Sequence, residues 1–345
     1  MASTDRWGGT RRVRCVLAVA AAWSLAGCSG DPEPVAEPAE PVPLESVEIR
    51  PPSPEEQALT RAIALRESGM SEQALAEFER AIEINPELTA AHLGSADLLL
   101  AEGAYEESYE RYRAASELEP ESFDARYGVA LTLQLLGRLV EAAEAYAQAL
   151  ALNPDDFGAN LNASGASLAL NDPQAAIEPA RRAVALNPES GPARINLASA
   201  LQRLGRAEEA VSEYRRAAER MDLTPDLLVS MADALGAAER YEEMASTLDQ
   251  LVAVAPSPAA FERLGSARFR AKRYEEAQQA FERALEMDPR YYPALNGRAV
   301  CLLNVYVWSD RTDRATLLEA RRMLQRSLRV RRDQPRIVEL LTRYQ

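Results

Sequence analysis

The chain has 345 residues, 53 of them acidic and 39 basic, for a formal net charge of −14. So acidic a body does not hold nucleic acid or an anionic bilayer by electrostatics, and a single histidine, His92, excludes a histidine-based triad or metal cluster. No glycine-rich phosphate loop stands in the sequence, so neither a cofactor nor a metal is expected.

At the N-terminus, Arg6, Arg11, Arg12 and Arg14 precede an apolar run from Cys15 to Ala26 that ends in Leu25-Ala26-Gly27-Cys28. A run of about a dozen apolar residues is too short to span a bilayer and reads as the core of an export signal. The Leu-Ala-Gly-Cys string resembles the lipobox of bacterial lipoproteins. That resemblance implies that Cys28 is acylated, that residues 1–27 are removed, and that the protein resides in a bacterial cell envelope. Ser29 follows the cysteine, where inner-membrane retention would want aspartate, which points to the outer membrane. An ordinary secretory signal cut nearby and an uncleaved anchor are the alternatives, and Arg11-Arg12 raises twin-arginine export. Residues 28–54 are rich in proline and glutamate, among them Pro32, Pro34, Pro38, Glu33, Glu37 and Glu40. Proline opposes helix and like charges repel, so this stretch is expected to be an extended tether, or else a docking motif in its own right. Without residues 1–27 the chain keeps 35 basic and 52 acidic residues. With Cys28 acylated, Cys301 is left without a disulfide partner, and its helical apolar surroundings make it a small buried side chain.

From residue 55 a period takes over. Asn85-Pro86, Glu119-Pro120, Asn153-Pro154 and Asn187-Pro188 place prolines 34 residues apart, each closing an alanine-rich helical pattern. Small residues stand 24, 12 and 5 places before the proline, as at Ala62, Ala74 and Ala81, and again at Ala130, Ala142 and Ala149. A larger side chain there would overpack the helix contact at about 1–3 kcal/mol. Large residues alternate with them at Leu65 and Phe78, Leu99 and Tyr112, Leu133 and Tyr146, and Leu201 and Tyr214. Gly69, Gly103, Gly137 and Gly205, with Asn171 in the same place, fall where the chain must leave the first helix of a unit through a left-handed residue.

These residues resemble the tetratricopeptide repeat family over residues 55–345. The resemblance implies an all-α, right-handed superhelical solenoid of helix-turn-helix units. Seven units span 55–291, an eighth with an insertion spans 292–334, and a capping helix spans 335–345. The sixth unit departs most, with Glu239 at the glycine place and Met244 and Leu251 where alanines belong, so looser packing is expected there. Tyr306 and Trp308 read as part of an inserted loop, either folded back over the stack or offered to a partner. Residues 311–345 hold ten arginines against Asp313, Glu319, Asp333 and Glu339. They read as a solvated face, a dock for an acidic partner, or a self-association surface.

Because the family lines its concave side with first helices, Leu59, Leu93, Tyr127, Leu161, Ile195 and Val229 form an expected apolar stripe. Leu100, Leu131, Leu135 and Leu168 widen it. Asn162 and Asn196 resemble the family's asparagines that hold a peptide backbone, and Asp97 and Asp233 are the charges expected in an otherwise apolar groove. The glutamate pairs Glu106-Glu107, Glu208-Glu209 and Glu275-Glu276 open second helices, where acids suit the helix dipole, rather than forming an acid/base couple. No catalytic residue is assigned. The expected function is a lipid-anchored, non-catalytic scaffold binding a protein or peptide segment, in support of an envelope assembly such as a pilus, secretion or outer-membrane machinery. A self-associating structural protein is the alternative, and an enzyme a remote one.

Overall fold

The computed structural model describes residues 51–344, and the expected signal segment, Cys28 and nearly all of the tether lie outside the described residues. Each unit is a pair of helices. The first four pairs are α1 (Pro54–Glu67) with α2 (Ser71–Ile84), α3 (Thr89–Glu102) with α4 (Tyr105–Leu118), α5 (Phe123–Leu135) with α6 (Leu139–Leu152), and α7 (Phe157–Ala169) with α8 (Pro173–Leu186). Then come α9 (Gly191–Arg203) with α10 (Ala207–Ala218), α11 (Pro225–Ala237) with α12 (Tyr241–Val254), and α13 (Pro258–Arg270) with α14 (Tyr274–Met287). The longer α15 (Tyr292–Trp308) and α16 (Arg314–Val330) form the eighth pair, and α17 (Pro335–Arg343) is the last helix described.

Local chemistry sets these boundaries. Six first helices start on side-chain caps, Ser53, Ser122, Asp156, Ser190, Thr224 and Ser257 each accepting from a backbone N–H one turn in. They leave through Gly69, Gly103, Gly137 and Gly205 at φ of +75 to +81°, and through Asn171, Glu239 and Lys272 at +58 to +65° in the fourth, sixth and seventh units. The second helices α2, α6, α8 and α14 end at an Asn or Asp ahead of proline, because a residue before proline is pushed out of the helical region. The Asn85, Asn153, Asn187 and Asp288 carboxamide or carboxylate oxygens then accept the N–H two residues on and close the turn.

The alanines Ala62, Ala74, Ala81, Ala130, Ala142 and Ala149 have no exposed surface, and Phe78, Tyr112, Tyr146, Tyr214 and Phe281 fill the space between helix pairs. The sixth unit is not loose. Leu228, Leu248 and Leu251 are buried together, and Gly236 leaves the room that Met244 takes, since a Cβ there would lie 3.1 Å from its sulfur. The eighth unit has no inserted loop. Its extra residues lengthen α15 and α16 to 17 residues each, and Tyr306 and Trp308 lie within the last turn of α15. Trp308 meets the edge of Tyr274 at 4.8 Å between ring centroids, and Tyr306 meets Tyr344 at 6.2 Å. Burial pushes the Cys301 thiol up to about 12, as suits a cysteine packed beside Phe281 and Ala294.

Candidate functional site: the face of the first helices

Neighbouring first helices touch, α1 with α3, α3 with α5, α5 with α7, α7 with α9, α9 with α11 and α13 with α15, whereas second helices of adjacent units diverge. The first helices therefore lie on the inside of the curve. Their exposed rows line it.

The expected stripe does not behave as one surface. Leu59, Tyr127, Ile195 and Val229 pack against the core clusters of their own units, and Leu168 is core outright, enclosed with Ile177, Leu197 and Leu201. Leu93, Leu100, Leu131 and Leu161 are half-buried and join no core cluster, and Leu135 is 45% exposed. Free apolar surface on this face is thus concentrated in the second to fourth units.

Tyr127 is the aromatic at its centre. Its ring stacks on Phe123 at 5.7 Å, burial raises its hydroxyl above the ordinary tyrosine range, and the Asn162 amide donates to its oxygen at 2.9 Å. Asn196 donates to the Leu161 carbonyl at 3.1 Å and to the Ser164 hydroxyl at 2.9 Å. Both asparagines join consecutive first helices, Asn162 through one amide N–H and Asn196 through two bonds. The groove acids are engaged too. Asp97 accepts from the Tyr112 hydroxyl and pairs with Arg66 at 3.7 Å, and Asp233 pairs with Arg263.

Beyond the fourth unit the face changes character, against the expectation of a groove poor in charge. A cavity of ≈ 370 Å³ is lined by Ser199, Gln202, Arg203, Tyr214, Ser230 and Asp233. Its neighbour, ≈ 330 Å³, shares Asp233 and adds Glu262, Arg263, Ser266 and Arg270. Tyr214 is tied to Ser199 at 3.0 Å and to Gln202 at 3.1 Å, and the Arg203 guanidinium donates to the Leu168 carbonyl. Arg203, Arg263 and Arg270 were not singled out from the sequence. Their signal was present, since Arg203 stands 34 residues after Ala169 and so falls in the row of Leu135.

The arrangement is a continuous wall, apolar at one end and polar at the other, suited to an elongated ligand held by many weak contacts.

Family models described as tetratricopeptide repeat match residues 258–291, and a second such model matches residues 65–134, 99–157 and 167–227. A tetratricopeptide repeat protein from Parabacteroides merdae is similar at 16% identity over 72% of this chain and 98% of that one, with a TM-score of 0.47. The pilF protein of Pseudomonas aeruginosa is similar at 21% identity over 59% and 92%, TM-score 0.48. YrrB, described as a repeat protein with an unusual peptide-binding site, is similar at 22% identity over 63% and 95%, TM-score 0.41. No curated protein matches the chain.

Proposed function

The chain belongs to the tetratricopeptide repeat family, whose repeats are protein-interaction modules, and we propose that it is a non-catalytic scaffold anchored in a bacterial cell envelope. Its first-helix face holds an extended or helical partner segment. Apolar side chains of the segment sit over Leu93, Leu100, Leu131, Leu135 and Leu161, and its polar continuation runs past Asp233, Arg203 and Arg263. One observation carries this reading: apolar surface that no neighbouring helix absorbs lies beside cavities walled by polar groups.

Lipid on Cys28 supplies the membrane attachment, at the outer membrane, and the proline-rich segment 29–54 spaces the repeats from it. Support of pilus, secretion or outer-membrane assembly is the role that fits such an anchored scaffold. A second reading, self-association through the C-terminal arginines, is favoured by the exposed guanidinium groups on α16.

The test is to select peptides from a display library on the full chain and titrate the winners. Losing the burial of one leucine forfeits about 1.5–3 kcal/mol, so Leu93→Glu and Leu161→Glu should each weaken binding roughly tenfold or more, with unchanged helical circular dichroism. Peptides that bind both variants as tightly as the parent would place recognition elsewhere. Anchoring is read separately by fatty-acid labelling, which Cys28→Ala should abolish.

A further inference from the structure

Arginine pairing divides the molecule. Every arginine side chain from Arg61 to Arg283 has a partner: a carboxylate for most, a carbonyl or amide oxygen for Arg126 and Arg203, an aromatic ring for Arg270. Arg314, Arg322, Arg329, Arg332 and Arg336, all exposed, make no side-chain hydrogen bond or ion pair. Of the described acids in the same stretch, Glu319 pairs with Arg298, Glu339 with Arg343, and Asp313 caps α16, which leaves Asp333 as the one free side-chain carboxylate among five free arginines.

The same end carries a helix built like the first helix of a unit. Pro335 opens α17 as Pro225 opens α11, and Ile337 is buried as Leu227 is. The next position differs. Leu228 is 1% exposed because α12 covers it, and Leu295 is 0% exposed under α16, but Val338 is 48% exposed. Val338 on α17 and, on α16, Leu318 at 52% and Val330 at 37% exposure are apolar side chains left open on the helices that carry the free Arg314, Arg322, Arg329 and Arg336.

The opposite end is its chemical complement. Residues 54–122 hold sixteen acids against five bases. On the first hairpin, the Glu67 and Glu72 carboxylates flank Met70 at the turn and Glu83 stands next to Ile84 at the end of α2, with Glu87 just beyond it; all four are exposed and without ionic partners, and Met70 and Ile84 are 49% and 44% exposed.

We propose that α16–α17 of one copy docks the α1–α2 hairpin of a second copy, head to tail, so that Val338 and Leu318 are covered and the free arginines meet the free glutamates. The inference rests on the reading that the C-terminal arginines mediate self-association, and adds the surface they engage. A contact between two different patches repeats without exhausting itself, so it builds rings or filaments rather than stopping at dimers.

The full chain in non-ionic detergent is examined by sedimentation velocity at low ionic strength and at about 1 M salt, where the screening length falls to about 3 Å. Concentration-dependent oligomers are expected at low salt and monomers at high salt. Arg322→Glu/Arg329→Glu/Arg332→Glu and, separately, Glu72→Arg/Glu83→Arg should each weaken association more than tenfold with native circular dichroism. Mixing the two variants should restore it, because reversed ends match reversed ends and the remaining ends are still complementary. If the arginine variant is monomeric while the glutamate variant assembles like the parent, the hairpin is the wrong surface and self-association stands. A parent that stays monomeric at low salt overturns both, as does a monomeric parent whose arginines serve instead to bind phosphatidylglycerol vesicles.

Discussion

Gly128→Ala should cost far more than a methyl group ordinarily does. A Cβ built at Gly128 lies 2.3 Å from both Cδ1 and Cε1 of Tyr112 and 2.6 Å from its Cγ, where ordinary contact begins at 3.4 Å. The ring would have to retreat by about 1 Å. It has nowhere to go, being 4% exposed and held at its far end by the hydroxyl bond to Asp97. Overpacking of this kind costs about 1–3 kcal/mol, and loosening a hydrogen bond to a charged acceptor adds about 1.5 kcal/mol, so about 3 kcal/mol is expected. The comparison variant is Gly137→Ala. Its backbone is left-handed at φ +75° with nothing within 4 Å of the new Cβ, so it bears only the conformational penalty of roughly 1 kcal/mol. Urea titration followed by far-UV circular dichroism measures both. Because repeat stability is a sum of units and interfaces, Gly128→Ala should also separate the first two units from the rest as an early transition. Tyr112→Leu combined with Gly128→Ala should be less damaged than the two singles predict, by about 1 kcal/mol or more. A Gly128→Ala protein within about 0.5 kcal/mol of the parent, or strictly additive singles, would refute the argument that this glycine exists to admit the ring.

Two further outcomes follow from the titratable groups. Cys301, pushed up to about 12 by burial, should resist iodoacetamide in the native protein at mildly alkaline pH and react fully in urea, read by mass spectrometry of the Cys301 peptide; fast native alkylation would contradict its placement. Asp313 is held below the ordinary aspartate range first by the Thr316 hydroxyl and then by the Thr316 backbone N–H. A depressed carboxylate stabilises the fold above its unfolded pKa and loses that effect as pH falls through its folded value. Asp313→Ala should therefore lower Tm at neutral pH, with the gap closing in acid; an equal gap at both would show that the cap contributes nothing.

The period was legible because the same backbone problem recurs at the same distance. A left-handed exit favours Gly or Asn and a residue before proline leaves the helix, so Gly69 and Asn85 announce their structure wherever they repeat, whereas Glu239 and Lys272 take the same exit unannounced. A second spacing was equally regular and went unread: Gly94, Gly128 and Gly297 each follow by 16 residues the ring they accommodate, in Phe78, Tyr112 and Phe281. The eighth unit was misjudged for want of punctuation. Nothing between Leu302 and Trp308 stops a helix, and added residues without a stop prolong α15 rather than loop out.

The groove was legible in register and not in exposure, and the reason is physical. Leu100 and Leu168 occupy one place in the repeat, yet Leu168 is buried because Leu197 and Leu201 of the next unit close over it, while Leu100 stays half-open. Asp97 and Asp233 likewise share a place, and each is neutralised by an arginine from an adjacent unit, Arg66 before the one and Arg263 after the other. A period states what all units have in common, which is the scaffold. What distinguishes one stretch of this face from another is decided by pairs of residues about 30 apart, each unremarkable alone, and it is in those pairs that the apolar wall of the second to fourth units and the polar cavities beyond it are set.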